Sequence, residues 1–195
     1  MPIIARSICA AKDSGLFEDV IVSTDDLEIA EIARSFGANV PFMRSEENSS
    51  DNAPLKDVIS EVLGAIVGEY NLVCCLLPTA ALTTPKQLSD AQRQLLENDL
   101  LTVRPIVEFS YPIQRAFKLE GNSEVKWVSP EHALTRSQDL LPRYHDAGQF
   151  YWMYAETQLA PNKRGAIILQ DWETHDIDNE SDWVVAELKF KALFR

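Results

Sequence analysis

The segment from Arg136 to Trp152 carries residue types that bind polar ligands as well as residue types that pack. Arginine, histidine, aspartate and glutamine alternate there with aromatic side chains, and the apolar positions follow neither the helical period nor the strand period. Polar groups interleaved with rings are typical of a pocket for a polar, ring-shaped, anionic ligand. The alternative is a loop followed by a buried strand, with Phe150, Tyr151 and Trp152 in the core.

Asp176 and Asp178 form a second candidate for chemistry near the C-terminus. Residues two apart on an extended segment point the same way, so both carboxylates can reach one hard cation. Two carboxylates plus oxygens from a bound ligand would complete the shell of Mg²⁺ or Mn²⁺. The alternative is helix capping, which for Asp178 alone is the simpler interpretation.

Three arginines are candidates for holding an anion, because guanidinium binds carboxylate or phosphate through two parallel hydrogen bonds. They are Arg44, Arg136 and Arg143, of which Arg143 is better explained as a surface residue. His145 lies beside Asp146, but sequence neighbours seldom face each other, so we interpret His145 as a ligand contact rather than a base. The sequence shows no arrangement typical of a serine or cysteine nucleophile.

The composition excludes some partners. The 195 residues carry a formal charge of −12, which argues against binding nucleic acid but not against binding a single nucleotide. Cys9, Cys74 and Cys75 lack metal-ligand spacing and predict reduced thiols and a cytoplasmic location. No signal peptide is visible, and the apolar runs are too short to cross a membrane.

Helical and strand patterns alternate along the chain and position these residues. Five helices are predicted: one near the start that ends at Gly15, one from Asp25-Asp26 to Gly37, one that begins at Pro54, one from Pro85 to Glu97, and one that begins after Asp178 or Asn179. In the second helix the residues predicted to be buried are Ile29, Ile32, Ala33 and Phe36. In the last helix they are Trp183, Ala186, Phe190 and Leu193. Strands are predicted at Asp19–Thr24, Val40–Phe42, Leu72–Leu77 (a central strand), Leu100–Ile106 and Ala166–Leu169, with a hairpin of Arg115–Leu119 and Val125–Val128 around residues 120–123.

This alternation predicts an α/β fold with a doubly wound, mostly parallel, Rossmann-like sheet. Residues 1–195 are interpreted as one domain, with an excursion at about 112–148 that contains the hairpin. Ligands of such sheets bind beyond the C-terminal ends of the strands, here Thr24-Asp25, Arg44 and Pro78-Thr79. The chain opens on a helix, and its seven glycines form no phosphate-binding loop of the usual kind.

Several motifs resemble the cytidylyltransferases that activate acidic nine-carbon sugars. The motifs are Ile21–Asp26, Arg44 with Ser50–Pro54, Leu77–Ala80, Pro112–Ala116, Thr135–Asp139, Tyr144–Trp152 and Asp176–Asp178 with Asp182-Trp183. They extend over nearly the whole chain. The segment Arg136–Trp152, called the polar-aromatic segment below, and the Pro-Ile-Gln-Arg run before it favour the branch of the family that acts on pseudaminic acid over the sialic acid branch.

The resemblance implies that the anomeric hydroxyl of the sugar attacks the α-phosphate of CTP, so that pyrophosphate leaves and a CMP-sugar forms. It implies a nucleotidyltransferase fold and a homodimer in which the hairpin reaches the partner subunit. It also implies roles for individual residues. The metal would be held by Asp176 and Asp178, the nucleotide by Arg44, Thr79, Ala80 and Asp25, and the sugar by Arg136, Gln138, Tyr144, His145, Asp146 and Gln149.

Two departures from the family pattern leave alternatives open. The family begins with a strand and a basic loop, A-R-x-G-S-K-x-x-x-x-K-N, that grips the triphosphate, and this sequence lacks both. The turn that contains Thr79 and Ala80, expected to hold the nucleotide, is called the nucleotide turn below. Just after it, Ala81 stands where the family generally has proline, and Thr83 stands where the sialic branch has arginine. The alternatives are a cytidylyltransferase for sialic acid or another 2-keto-3-deoxy acid sugar, and a truncated remnant that binds ligands without catalysis.

Overall fold

The computed structural model describes residues 1–121 and 123–194. Its helices are α1 (Ile3–Ser14), α2 (Leu27–Ser35), α3 (Leu55–Ala65), α4 (Pro85–Glu97) and α5 (Glu180–Leu193). Local sequence explains several of their ends. Gly15 closes α1 in a left-handed conformation with φ of 65°, and Thr84 and Gln87 form a capping box at the start of α4.

The strands of the described chain are β1 (Leu72–Leu76), β2 (Thr102–Glu108), β3 (Phe117–Glu120), β4 (Glu124–Trp127), β5 (Tyr144–Asp146), β6 (Phe150–Tyr154) and β7 (Arg164–Leu169). The main sheet has the order β1-β6-β2-β5, and β7 pairs with β2 in parallel. Because β1 and β2 both lie antiparallel to β6, the strands β1, β2 and β7 run in the same direction. The α/β class is therefore confirmed. Of the four strand pairings in the described main sheet only β2 with β7 is parallel, so the mostly parallel pairing expected from the sequence is not observed.

The core lies between the sheet and α4. Its fully buried members are Leu88, Ala91 and Leu95 on α4 and Val103, Phe150 and Trp152 on β2 and β6. The indole Nε1 of Trp152 donates to the carbonyl of Leu88 over 3.0 Å, and its ring stacks on Phe17 at 5.1 Å. This packing fixes β6, the strand that contains the end of the polar-aromatic segment.

The expectation that Leu72–Leu77 forms a central strand is wrong, because β1 lies at the end of the sheet and, among the described strands, pairs with β6 alone. The predicted strands Asp19–Thr24 and Val40–Phe42 are also wrong as ladders: they are reduced to one isolated parallel bridge, Ile21 with Asn39. Their apolar composition reflects burial against α1 and α2 rather than strand pairing.

An apolar groove of about 310 Å³ separates β1 from the Val20–Ser23 segment, and we call it the β1 groove. Its walls come from β1, from Val20–Ser23, from the apolar stripe of α3 and from α1. No strand of the described chain occupies it, so the outer edge of β1 has no ladder partner. The side chains of β1 are consequently only half-buried despite their apolar character.

The predicted hairpin is present as β3 and β4, paired from Phe117 opposite Trp127 to Glu120 opposite Glu124. Part of its predicted turn, Asn122, lies outside the described residues. Large apolar side chains remain exposed on the hairpin and near its base: Phe117, Leu119, Val125, Val128 and Tyr111. A separate two-stranded sheet with exposed apolar side chains is consistent with an excursion from the main body.

The burial predicted for α5 is wrong. Asn179 caps the helix as expected, but only Ala186 is buried, and Trp183 is 49% exposed. On α2, Ala30 and Ala33 are buried whereas Ile29 is exposed. In both helices the spacing identifies a helix but does not show which side other elements cover. Among the described residues, no helix is long and apolar enough to span a membrane.

Candidate active site

Three contacts join the turn between β5 and β6 to the segment that carries the aspartates. Thr174 Oγ1 donates to the carbonyl of Ala147 over 3.0 Å, and Gln149 Nε2 donates to the carbonyl of Glu173 over 3.2 Å. A Cβ placed on Gly148 would lie 2.9 Å from Cγ and Oδ2 of Asp176. Asp176 therefore adjoins the polar-aromatic segment.

Asp176 and Asp178 are exposed, whereas Ile177 between them is half-buried. Both carboxylates thus lie toward solvent, and neither makes a hydrogen bond to another described residue. Within residues 1–121 and 123–194, no group of three or more His, Cys, Asp or Glu side chains could hold a metal ion. A two-carboxylate site fits Mg²⁺ that keeps waters and binds substrate phosphates, and does not fit a closed all-protein metal cage.

Asp146 is held by two partners next to this junction. Its Oδ2 contacts Arg104 Nη1 at 2.8 Å, and its Oδ1 accepts the backbone N–H of Gly148 at 2.9 Å. The Arg104 guanidinium lies over the Tyr151 ring, 4.7 Å from its centroid. Burial, and next the Asp146 charge, raise the pKa of Tyr151 to about 12, against the opposing effect of Arg104. Tyr151 therefore stays neutral at physiological pH.

The predicted nucleotide turn follows β1, and its first residue, Leu77, is bonded to other elements. Leu77 N–H donates to the carbonyl of Gln149 over 2.8 Å, and Ala80 N–H donates to the carbonyl of Leu77 over 3.1 Å. The hydroxyl of Ser7 on α1 donates to the Leu77 carbonyl at 3.1 Å. Ala80 is buried, while Thr79 is half-buried.

Arg44 lies at the end of the β1 groove, and two of its guanidinium nitrogens donate to Ser23, one of them to the hydroxyl over 3.0 Å. Burial raises the pKa of the Cys75 thiol to about 11, and the Arg44 charge opposes that rise, which places Arg44 near Cys75. Asp25 is exposed, and the neighbouring Asp26 is the cap of α2.

The residues predicted to line the sugar site divide into two groups. Arg136 and Gln138 are exposed on a short 3-10 turn, and Tyr144, His145 and Asp146 form β5 opposite β2. The His145 ring lies 4.9 Å from the ring of Phe109. All five are solvent-accessible, which is compatible with ligand contact.

Gln149 differs from the others because its side chain is buried, with the residue 1% exposed. Its amide nitrogen is occupied by the Glu173 carbonyl, so its side chain faces the 173–176 segment and not solvent. Contact between this side chain and a sugar was expected, but the placement indicates a role in holding the segment. The expectation failed because the sequence does not show which loop covers a strand end.

Two residues at this site were not identified from the sequence. Arg104 was identifiable in principle, because a charged residue inside the apolar run Thr102–Val107 is unusual. Thr174 gave no signal, since it lies among polar residues before the aspartates, and its bond to Ala147 depends on tertiary structure.

The sequence matches the family model described as "Cytidylyltransferase" over residues 1–184. It is 35% identical to the pseudaminic acid cytidylyltransferase of Campylobacter jejuni over 98% of this chain and 86% of that protein. It is also 29% identical to the CMP-N,N'-diacetyllegionaminic acid synthase of Legionella pneumophila, over 95% of this chain and 84% of that protein.

Among solved structures, the chain resembles CMP:2-keto-3-deoxy-manno-octonic acid synthetase complexed with CTP. The TM-score is 0.66 at 13% identity, over 97% of this chain and 88% of that one. It also resembles 4-diphosphocytidyl-2C-methyl-D-erythritol synthase from Anaerococcus prevotii, with a TM-score of 0.59 at 11% identity, over 97% of this chain and 89% of the other. At these identities the likeness shows a common fold, in agreement with the α/β architecture expected from the sequence.

Proposed function

This chain belongs to the cytidylyltransferase family, and from that membership we propose that its sugar substrate is pseudaminic acid. The reaction class is transfer of CMP from CTP to an acidic sugar, which makes the chain a nucleotidyltransferase. The choice of pseudaminic acid is supported by the 35% identity to the Campylobacter jejuni enzyme over nearly the whole chain.

The observation that carries the site assignment is the contact between Gly148 and the Asp176 carboxylate. It brings Asp176 next to the polar-aromatic segment, so one substrate complex can reach both. In the proposed site, Asp176 and Asp178 hold Mg²⁺ or Mn²⁺. A bound divalent ion would neutralise charge on the triphosphate and fix its orientation.

In the proposed reaction, the anomeric oxygen of the sugar forms a bond to the α-phosphorus of CTP as the bond to the pyrophosphate oxygen breaks. The hydroxyl proton is released and pyrophosphate leaves with the electron pair. Such in-line substitution depends mainly on positioning and charge neutralisation.

The nucleotide and the sugar would be held by different elements. We assign the nucleotide to the Thr79-Ala80 turn, with Arg44 and Asp25 at the neighbouring strand-like ends. The sugar is assigned to Arg136, Gln138, Tyr144, His145 and Asp146. Arg136 suits the sugar carboxylate, because its guanidinium is exposed and makes no ion pair with another described residue.

A homodimer is part of the proposal, and the exposed apolar side chains of β3 and β4 support it. Leu119 is 72% exposed and Val125 is 56% exposed, although large apolar side chains on one small sheet are costly to leave in water. Sedimentation of the native chain and of Leu119→Asp would test it. We expect the native chain to sediment as a dimer and the variant as a monomer. If the native chain and the variant both sediment as monomers, the proposed homodimer is rejected.

A cytoplasmic location belongs to the same proposal. None of the three cysteines forms a disulfide, and burial raises the pKa of both Cys74 and Cys75, so these thiols stay protonated. Fractionation of cells that produce the chain should recover it with cytoplasmic enzymes.

The test of function is CMP-sugar formation and pyrophosphate release from CTP, Mg²⁺ and pseudaminic acid. We expect turnover that is abolished by chelation and reduced at least 100-fold in Asp176→Asn, as expected when a metal ligand is lost. Asp13→Asn, an exposed position on α1, is the matched control and should retain activity. Faster turnover of sialic acid or an octulosonate would reject pseudaminic acid, and absence of turnover with every sugar would reject catalysis by this chain.

A further inference from the structure

Resting on the function proposed above, we propose that Thr174 and Gln149 are positioning residues for the metal-binding aspartates. Neither residue faces solvent: Thr174 is 5% exposed and Gln149 is 1% exposed. Neither would touch the sugar, the nucleotide or the metal with its side chain. Each instead bonds to the backbone of the other segment, which makes the junction reciprocal.

The two hydrogen bonds act on the residues immediately before Asp176. Thr174 Oγ1 reaches back to the Ala147 carbonyl, and the Glu173 carbonyl accepts the Gln149 amide. The carboxylate of Asp176 then fits against Gly148, where a side chain would clash with it. Gly148 also has φ of 63°, a conformation that favours glycine.

A second anchor holds the segment from the other end. Asp182 Oδ2 accepts the backbone N–H of Asp178 at 3.0 Å and of Asn179 at 3.1 Å. Lys189 Nζ, also on α5, donates to the Thr174 carbonyl at 2.9 Å, at the near end of the segment. The aspartates thus lie between one anchor on the β5–β6 turn and one on α5, so losing the first changes the position of Asp176 relative to Asp178.

The same junction reaches the proposed nucleotide turn. The carbonyl of Gln149 accepts the N–H of Leu77, the residue that begins that turn. Gln149 therefore links the segment that carries the aspartates, through its side chain, to the proposed nucleotide turn, through its backbone. This arrangement would set the distance between the metal and the nucleotide, because both are attached to the start of β6.

The test uses Mn²⁺ binding in the presence of CTP, followed by electron paramagnetic resonance, with the full chain. Thr174→Val keeps the shape and removes the hydroxyl, and is expected to weaken Mn²⁺ binding by about tenfold or more, the usual effect of losing a supporting hydrogen bond at a metal site. Thr174→Ser restores the donor and should bind Mn²⁺ within about twofold of the native chain.

Thr102→Val is the matched control. Thr102 is 1% exposed, but its Oγ1 has no hydrogen-bond partner among the described residues, and it lies at the start of β2 away from the junction. It should leave Mn²⁺ affinity unchanged. In turnover, Thr174→Val should raise the Mg²⁺ concentration for half-maximal rate, while kcat at saturating Mg²⁺ recovers.

Gln149→Met provides a second variant that removes the amide at similar volume and should weaken Mn²⁺ binding in the same direction. Circular dichroism checks folding. Native-like Mn²⁺ affinity in folded Thr174→Val and Gln149→Met overturns the inference alone. If both variants fail to fold, the residues are structural and the inference is overturned. If the native chain itself binds no Mn²⁺, the metal role in the proposed function fails, and the inference fails with it.

Discussion

The two sides of β1 differ in how their backbone groups are satisfied. On one side, β1 pairs with β6 along its whole length, and the ladder continues through Leu77 to Gln149. On the other side, the β1 groove separates it from Val20–Ser23, and no described strand pairs with it. The paired side leads directly to the proposed metal site.

This difference teaches that the proposed chemistry is built on the half of the molecule with the most complete pairing. The Thr174 and Gln149 bonds, the Arg104–Asp146 pair and the Trp152 core all surround β6. The groove side instead contributes Arg44, where the described backbone pairing is limited to the Ile21–Asn39 bridge and a bond from the Arg44 N–H to the Thr24 carbonyl. Pre-organised sites need such rigid support, and three measurements would break or sharpen the contrast.

The largest expected effect is on stability. Trp152→Ala on the paired side removes a buried ring and its bond to Leu88, and should lower the free energy of unfolding by about 3–5 kcal/mol. Val62 lines the β1 groove, where its side chain is only half-buried. Val62→Ala should therefore lower the free energy of unfolding by only about 1 kcal/mol. Urea denaturation of both variants measures the contrast. Equal losses would mean that the groove is as tightly packed as the core.

A smaller effect is expected in amide hydrogen exchange along β1. In an antiparallel ladder alternate residues bond to the same partner strand, and Leu77 N–H points to β6, so the N–H groups of Val73 and Cys75 point there too. Those of Leu72 and Cys74 then face the groove. Nuclear magnetic resonance should show them exchanging on the order of 100-fold faster than their neighbours. Uniformly slow exchange would show that something pairs with the open edge.

The smallest effect concerns alkaline pH. Tyr151 has an ordinary pKa near 10 when unfolded and about 12 when folded, chiefly through burial. As the pH rises, Tyr151 ionises in the unfolded chain before it ionises in the folded chain. The contribution of Tyr151 to the free energy of unfolding is therefore complete below pH 10 and is lost as the pH rises to 12. Tyr151→Phe should therefore lose less stability than the native chain over this range. Denaturation midpoints at pH 9 and pH 11 measure it, and parallel losses would contradict the assignment.

Local sequence identified most helices and strands, because their signals are local. The α3 stripe, the Pro85 start of α4, the Gly15 end of α1 and the hairpin strands all agree with the structure. The strands predicted at Asp19–Thr24 and Val40–Phe42 do not agree with the structure. A strand needs a partner to form a ladder, and composition does not reveal whether that partner is present. Leu72–Leu77 was placed centrally for the same reason, since an apolar run indicates burial but not the number of neighbouring strands.

The candidate site was predictable in its residue types but not in its connections. Asp176 and the polar-aromatic segment were singled out separately, and the structure brings them together. The buried orientation of Gln149 and the bond made by Thr174 depend on how residues 173–176 fold over the β6 end. Such contacts join positions about 25 residues apart, 24 for one bond and 27 for the other, and no local pattern records them.

The bare edge of β1 also affects handling of the purified protein. An unprotected strand next to apolar side chains is a template on which another molecule can add its own strand. Concentrated stocks are therefore expected to precipitate gradually, and dilute, cold storage with a mild chaotrope should delay this. Light scattering against time and concentration would follow the process.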